Sequence, residues 1–175
     1  MSQYKYFIFL IFILYFSITI LPQDEVSQKH CSSLEAHQFD FWIGKWKVEW
    51  YSSDSTKVEG TNNVNSILGS CVIEENFIGK PGIDFMGKSF SVFNPAKKIW
   101  QQTWVDDQGG YMVFTGGMNN NKMILSRKIN RNDKEIIQRM VFYNILKDEL
   151  DWNWESSEDD GKTWQLNWKL HYTKM

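Results

Sequence analysis

The sequence predicts an all-β protein, an up-and-down antiparallel β-barrel of eight to ten strands preceded by a short helical turn. Two observations support this class: short segments with alternating apolar and polar residues recur along the chain, and they are separated by links of hairpin length. No long stretch carries the 3.6-residue periodicity of a helix. Closing such a meander into a barrel removes its exposed edge strands.

The first part of the chain has the layout of a secretory signal peptide. Residues 6–21 are apolar apart from Ser17 and Thr19, Lys5 precedes them, and Pro22 follows. An uncleaved membrane anchor is the alternative, although a spanning helix needs about 20 apolar residues. We therefore predict a signal peptide over 1–23, a polar lead with a short helical turn over 24–38, and a barrel domain over 39–175.

Charge and cysteine content narrow the function classes. Removing residues 1–23 removes one lysine and no acid, so the formal net charge changes from −2 to −3. A mildly acidic domain without a basic stripe is a poor candidate for binding nucleic acid or an anionic membrane surface. Two cysteines in an oxidising compartment favour a Cys31–Cys71 disulfide, with two separate buried thiols as the alternative.

The elements near the start of the domain follow from local signals. Ser32 and Glu35 fit a capping box, which predicts a helical turn over 34–41. The first strand follows, because Trp46, Val48 and Trp50 alternate with polar residues.

Further strands are separated by turn residues such as Gly79 and Pro81. We predict these strands over residues 57–68, 71–78, 87–93, 99–105, 111–115, 123–129 and 135–143. Within 87–93, Phe90 and Val92 would form the apolar face and Ser89 the polar one. A bulge or bend is expected at the Gly116-Gly117 pair.

The last hairpin has the clearest alternation. Its first strand, over 150–155, places the residues Leu150, Trp152 and Trp154 on one face. Its second strand, over 164–173, places the residues Trp164, Leu166, Trp168, Leu170 and Tyr172 on one face. Between them, residues 157–164 match the Asp-box pattern S-x-D-x-G-x-T-W. A single copy favours a structural hairpin over a sialidase-like propeller.

No catalytic or metal site emerges from the motifs. His30, His37 and His171 lack the spacing of a closed metal site, so surface positions are expected and no cofactor is predicted. Adjacent acids occur at 74–75, 106–107 and 159–160, where strand geometry or turns favour solvated charge over acid–base chemistry.

Aromatic residues on the apolar faces are the candidate ligand-binding residues. A barrel of this size either fills its interior or encloses one small ligand. The predicted lining consists of Trp50, Phe90, Trp100, Gln102, Trp104, Phe114, Phe142, Trp152 and Trp154. A solid core built from the same residues is the alternative. Arg139 or Arg127 is expected to stack on Trp46 at the closed end.

Several motifs carry a resemblance to known proteins. Gly44-Lys45-Trp46 resembles the Gly-x-Trp sequence that opens the lipocalin barrel. Further motif positions lie along the chain, namely Phe39, Asp40, Phe41, Trp42, Gly44, Trp46, Cys71, Glu75, Trp100, Gln102, Trp104, Asp106, Glu155, Asp159, Gly161 and Trp164. Through these positions the chain resembles, over 31–174, a family of secreted, largely bacterial proteins of unknown function with a lipocalin-like barrel. Gln101 and Ser70 depart from the family's usual His and Gly. The resemblance implies a lipocalin-like fold and secretion, and no assigned activity.

These observations predict a secreted or periplasmic lipocalin-like protein that binds a small apolar or aromatic ligand in a Trp-rich interior. No stable membrane association is expected after signal cleavage. One alternative is an enzyme, a hydrolase or isomerase, for which Glu75 and Asp106 are the acids to test. The other is a protein-interaction module with a solid core.

Overall fold

The computed structural model describes residues 31–175. The predicted signal peptide over 1–23, most of the polar lead and His30 therefore lie outside the described residues. The division of the chain at residues 23 and 38 stays a prediction. Within the described part, no helix is long and apolar enough to cross a membrane.

Ten antiparallel strands form a closed up-and-down barrel, as predicted. Two short 3₁₀ helices, η1 (Leu34–His37) and η2 (Asp40–Trp42), lead into it. The strands are β1 (Gly44–Tyr51), β2 (Lys57–Ile67), β3 (Val72–Ile78), β4 (Met86–Asn94), β5 (Ile99–Asp106), β6 (Tyr111–Asn119), β7 (Lys122–Arg131), β8 (Lys134–Tyr143), β9 (Glu149–Ser157) and β10 (Gln165–Lys174). Each strand pairs with its sequence neighbours, and β1 pairs with β10 to close the sheet.

The first strand shows how alternation sets the barrel interior. Trp46, Val48 and Trp50 are buried, while Lys45 and Tyr51 are exposed. The seam with β10 places Trp46 opposite Lys174 and Val48 opposite Tyr172. Because successive strand residues face opposite sides, the apolar set of β1 lies inside and its charged set outside.

One end of the barrel is closed by the 3₁₀ helices. Ser33, and not the predicted Ser32, caps η1, since the Ser33 side chain accepts a hydrogen bond from the Ala36 backbone N–H at 3.3 Å. Trp46 Nε1 donates to the Trp42 backbone carbonyl at 2.8 Å, which ties η2 to the start of β1. Phe39 is fully buried and packs against Trp42 and Phe142, with ring centroids 5.2 and 5.1 Å apart. Aromatic side chains thus fill this end of the barrel.

The predicted disulfide is confirmed. Cys31 and Cys71 are bonded, with Cα atoms 5.2 Å apart. Cys71 lies in the β2–β3 link, at the closed end of the barrel. The bond therefore attaches the segment before η1 to the sheet.

The Asp-box forms a hairpin loop between β9 and β10, as expected. Asp159 Oδ1 accepts hydrogen bonds from Ser157 Oγ and the Thr163 backbone N–H, each at 2.8 Å. Hydrogen bonds from Thr163 and then Ser157 lower the pKa of Asp159 to about 2. Gly161 adopts φ +82°, a left-handed conformation that glycine tolerates. Trp164 Nε1 donates to the Gly161 carbonyl at 3.0 Å, so the indole closes the loop.

Two details of the strand predictions are wrong. The register of β10 shifts between Leu166 and Trp168, so Leu166 is 52% exposed and does not share a face with Leu170. A bulge of this kind resets the alternation, which the sequence pattern alone does not show. In β6, the bulge, one of the two alternatives expected at Gly116 and Gly117, is absent, because the strand continues to Asn119 without a register shift. A Cβ at Gly116 would lie 1.9 Å from the Ile124 carbonyl oxygen, so close strand approach explains that glycine.

The predicted arginine contact with Trp46 is also wrong. Lys174 Nζ lies 5.4 Å from the Trp46 ring centroid and takes that place, because β10 pairs with β1. Arg139 instead stacks on Trp164 of the Asp-box loop, with Cζ 3.5 Å from the ring centroid. Arg127 points into the barrel, as described below.

Candidate ligand-binding cavity

The barrel encloses a cavity of about 340 Å³ that is partly open to solvent. Its wall is predominantly aromatic and includes a few polar side chains. The lining residues are Trp42, Glu75, Phe77, Phe85, Trp104, Met112, Phe114, Arg127, Gln138, Met140, Phe142, Trp152, Trp154, Trp168, Leu170 and Tyr172. An interior of this composition suits one small organic molecule better than bulk water.

Aromatic rings cover the wall as flat and edge-on surfaces. Trp152 and Trp154 are stacked, with an interplanar angle of 10° and centroids 6.5 Å apart. Trp168 meets Trp152 edge-on at 5.9 Å. Near the β3–β4 loop, Phe85 and Trp104 are stacked at 6.1 Å. These faces offer stacking and edge contacts to an aromatic or apolar guest.

A buried polar cluster occupies one side of the barrel interior, with Glu75 at its centre. Asn62 Nδ2 donates to Glu75 Oε1 at 2.7 Å, and Ser89 Oγ donates to Glu75 Oε2 at 2.6 Å. Gln102 Nε2 donates to Ser89 Oγ at 3.0 Å and to Ser91 Oγ at 2.9 Å. The hydrogen bonds of Asn62 and Ser89 end on the carboxyl group of Glu75, which also lines the cavity, and Gln102 supports Ser89 from behind.

Burial dominates the ionisation of this cluster. Desolvation raises the pKa of Glu75 to about 7, and the hydrogen bonds from Ser89 and Asn62 only partly oppose it. Burial and the neighbouring Glu75 raise the pKa of Tyr172 well above its ordinary value, so its hydroxyl stays protonated. No cation forms a salt bridge with Glu75 within residues 31–175.

Some buried polar atoms of the barrel interior have no hydrogen-bond partner among the described residues, and of these only the Trp42 atom belongs to a cavity-lining residue. They are Trp42 Nε1, Asn62 Oδ1, Trp100 Nε1 and Gln102 Oε1. Buried polar groups normally find partners, so such atoms mark places where a bound molecule or water is favoured.

The cavity wall also holds one cation, Arg127, on β7. Arg127 Nε donates to Gln138 Oε1 at 2.9 Å, and both residues line the cavity. Its Cζ lies 5.4 Å from the Phe114 ring centroid and 6.0 Å from that of Trp154. Burial lowers the pKa of Arg127, although a guanidinium stays charged under all ordinary conditions.

Five of the nine residues predicted to bind a ligand line the cavity: Trp104, Phe114, Phe142, Trp152 and Trp154. Three others are buried in the interior but do not line it. Trp50 packs against Trp168 at 5.6 Å, Trp100 packs against Phe39 at 5.3 Å, and Gln102 belongs to the polar cluster. Their part in ligand binding stays a prediction.

The placement of Phe90 in the lining is wrong. Phe90 is 43% exposed on the outer surface, and Ser89 and Ser91 of the same strand are fully buried. Contacts of the inward residues explain why the two faces of β4 are the reverse of the prediction. Ser89 donates a hydrogen bond to Glu75, and both serines accept hydrogen bonds from Gln102. The inward Gly87 makes room for the Trp104 indole. A Cβ at Gly87 would lie 2.0 Å from Trp104 Cζ2.

Asp106, the other acid considered for catalysis, stabilises a loop. Its carboxylate accepts hydrogen bonds from Trp104 Nε1 at 3.0 Å and from the backbone N–H groups of Gln108 and Gly110. Burial opposes ionisation, but these three donors outweigh it and lower the pKa of Asp106. The carboxylate therefore fixes the β5–β6 turn and orients the Trp104 indole.

The remaining histidines pair with single carboxylates. His37 Nδ1 lies 2.7 Å from Asp40 Oδ2, and His171 Nδ1 lies 2.9 Å from Asp151 Oδ1. Across residues 31–175, no group of three or more His, Cys, Asp or Glu side chains is arranged to hold a metal ion.

The outer surface of β4, β5 and β6 exposes several apolar side chains. The exposed residues are Phe90, Val92, Val105, Tyr111 and Val113. Each cross-strand row there also contains a polar residue, namely Lys88 beside Val105, Thr103 beside Phe90, and Gln101 beside Val92. Scattered exposure of this kind is ordinary for a protein surface.

No protein-family model and no curated protein matches the chain. The resemblance to a secreted family of unknown function therefore stays a prediction.

Sequence reasoning missed three polar features of the barrel interior. Gln138 alternates with Ile136 and Met140 in β8, so its inward position could have been found from the period of two. Arg127 likewise follows Met123 and Leu125 on one face of β7. The pairing of Asn62 with Glu75 left no such signal, because it depends on the register between β2 and β3.

Proposed function

We propose that this protein binds a small apolar or aromatic molecule inside the barrel. The observation that carries the proposal is the cavity of about 340 Å³, which remains between aromatic side chains instead of being filled by them. That volume lies in the range of roughly 300 to 1,000 Å³ typical of small-molecule sites. Its polar groups could orient a guest, and its rings could stack on it.

The proposal includes a secreted or periplasmic location. The Cys31–Cys71 disulfide supports it, because structural disulfides persist mainly in oxidising compartments. The signal-like composition of residues 1–23 points the same way. We also propose that the chain is a member of the secreted family that its motifs resemble.

Filling the cavity tests the binding function. We expect Met112→Trp to place an indole in the cavity, because Met112 lines the cavity and is paired with Trp104 on the adjacent strand. Val113→Trp is the matched control, since Val113 is the next residue of β6 and is 46% exposed on the outer surface. Calorimetric titration with 2-naphthylacetamide should show binding to the wild type and the control, and loss of at least tenfold in affinity for Met112→Trp.

Native mass spectrometry of the protein from residue 24 onward adds an independent readout. A non-covalent mass released by denaturation would identify a carried ligand. Equal affinity of the probe for Met112→Trp and the wild type, with both folded by circular dichroism, would contradict binding inside the barrel.

A second candidate, proton-transfer catalysis, rests on Glu75. A buried carboxyl with a pKa of about 7 beside an apolar cavity has the properties of a general acid or base. The test is exchange of the α protons of 2-tetralone for deuterium, followed by NMR. Exchange above the buffer rate that disappears in Glu75→Gln would support catalysis, and equal rates in the two proteins would exclude it for this substrate.

A further inference from the structure

The cavity wall contains a charge that the fold does not neutralise. Arg127 is the one cation among the lining residues, and no carboxylate lies within salt-bridge distance of it in the described part of the chain. Arg127 is half-buried, and its guanidinium faces a mainly aromatic cavity without an anion. Its charge is therefore partly desolvated, so a bound anion would be favoured there.

The geometry leaves part of the guanidinium available. Nε is committed to Gln138, while the two terminal nitrogens of Arg127 donate no hydrogen bond to any described residue. The guanidinium lies over the rings of Phe114 and Trp154, and these cation–π contacts restrict the side-chain conformations of Arg127. A planar guanidinium with free donors matches the two oxygens of a carboxylate.

Arg139, on the neighbouring strand, is an arginine whose charge is paired with a carboxylate of the protein itself. It lies on β8, outside the barrel, and its Nε donates to Glu155 Oε2 at 2.6 Å. The side chain also stacks on Trp164. Each of these arginines therefore has aromatic contacts, but only the outward one has a carboxylate.

Glu75 does not serve as the missing partner. It lines the same cavity, yet its two carboxyl oxygens accept hydrogen bonds from Asn62 and Ser89, and it forms no ion pair with Arg127. A ligand with two or more negative charges would meet only one cation in this wall. When Glu75 is protonated, the lining carries one positive charge, which balances one negative charge on a ligand.

We propose that the natural ligand is an amphipathic organic monoanion, with an apolar or aromatic body between the tryptophans and a carboxylate bound by Arg127. This inference rests on the proposed binding function and specifies the chemical class of the ligand. Gln138 acts as a positioning residue, because its Oε1 accepts the hydrogen bond from Arg127 Nε and leaves the terminal nitrogens free to donate to a guest.

The experiment compares three probes with the same naphthalene body: 2-naphthylacetate, 2-naphthylacetamide and 2-naphthylethylamine. Calorimetric titration at one pH and ionic strength gives the affinity of each for the wild type and for Arg127→Gln. Arg127→Lys keeps the charge without the planar fork, and Arg139→Gln is the control that removes an arginine from outside the barrel.

The wild type should bind the acetate at least about tenfold more tightly than the amide, since hydrogen bonds to a charged partner are strong. Arg127→Gln should abolish that preference, so that its affinities for the acetate and the amide agree within about threefold. Arg127→Lys should keep part of the preference, and Arg139→Gln should keep all of it.

Three results would overturn the inference. Equal affinity of the wild type for acetate and amide would refute the monoanion while leaving the binding function intact. An acetate preference unchanged in Arg127→Gln would place the anion elsewhere. Absence of binding by all three probes would count against the cavity as a binding site, and the monoanion proposal would fall with it.

Discussion

Replacing Glu75 by glutamine should change how stability depends on pH. Glu75 is buried, and its pKa is raised from the ordinary value of 4.5 to about 7 by desolvation. At about 1.4 kcal/mol per pH unit, this difference corresponds to about 3 kcal/mol of folding free energy. The Glu75→Gln variant keeps the size of the side chain and removes the titration.

The direction of this pH dependence follows from how many protons Glu75 binds in the folded and in the unfolded chain. Below pH 4.5, Glu75 is protonated in both the folded and the unfolded chain, and its contribution to stability is fully present. Between pH 4.5 and about 7, the unfolded chain ionises first and binds fewer protons, so the free energy of unfolding falls as pH rises. Above about pH 7 the loss is complete.

Urea unfolding at several pH values from 4 to 8 measures this effect. The free energy of unfolding of the wild type minus that of Glu75→Gln should fall by about 3 kcal/mol across the range. With a urea dependence of roughly 1 to 3 kcal/mol per molar, the difference in midpoints should change by about 1 to 3 M. Other titrating groups largely cancel, because both proteins share them.

Glu74→Gln is the matched control, since Glu74 faces the outer surface on the same strand and lies near Lys88. The free energy of unfolding of the wild type minus that of Glu74→Gln should not show the same fall between pH 4.5 and 7. A difference between wild type and Glu75→Gln that stays constant from pH 4 to 8 would refute the buried-carboxyl argument.

Two further predictions concern stability. Replacing Cys31 and Cys71 together by alanine should lower the free energy of unfolding by roughly 4 kcal/mol, because the bond closes a loop with a sequence separation of 40. Urea unfolding measures this loss. An unchanged unfolding midpoint would show that the bond adds nothing to stability. Gly87→Ala should lower the thermal midpoint and shift the tryptophan fluorescence, since a Cβ there would meet Trp104 at 2.0 Å. The control is Gly109→Ser, where an added Cβ meets no atom within 4 Å but φ is +81°, so only a backbone cost is expected. A Gly87→Ala spectrum identical to the wild type would show that Trp104 does not contact this strand.

Much of the fold follows from local alternation and turn chemistry. The strict alternation after Trp46 correctly identifies a half-buried strand, and the Asp-box correctly marks the last hairpin. Short links between alternating segments limit the topology to neighbour pairing, which the ten-stranded barrel shows. These features depend on residues close in sequence, so the sequence exposes them directly.

The errors arise where a distant contact decides the outcome. The period of two assigns Ser89 and Phe90 to opposite faces of β4, but it does not say which face is inside. The need of Glu75 for hydrogen-bond donors outweighs the apolar character of Phe90 and turns the serines inward. The bulge near Leu166 similarly depends on pairing with β9.

The sequence by itself determined the all-β class, the order of the strands, the disulfide partners and an interior rich in tryptophan. Only the tertiary structure decided that the interior keeps a cavity, and that Glu75 and Arg127 line it without pairing with each other. The physical reason is that burial and charge balance depend on side chains brought together from different strands, and their spacing is set by register and closure of the whole sheet.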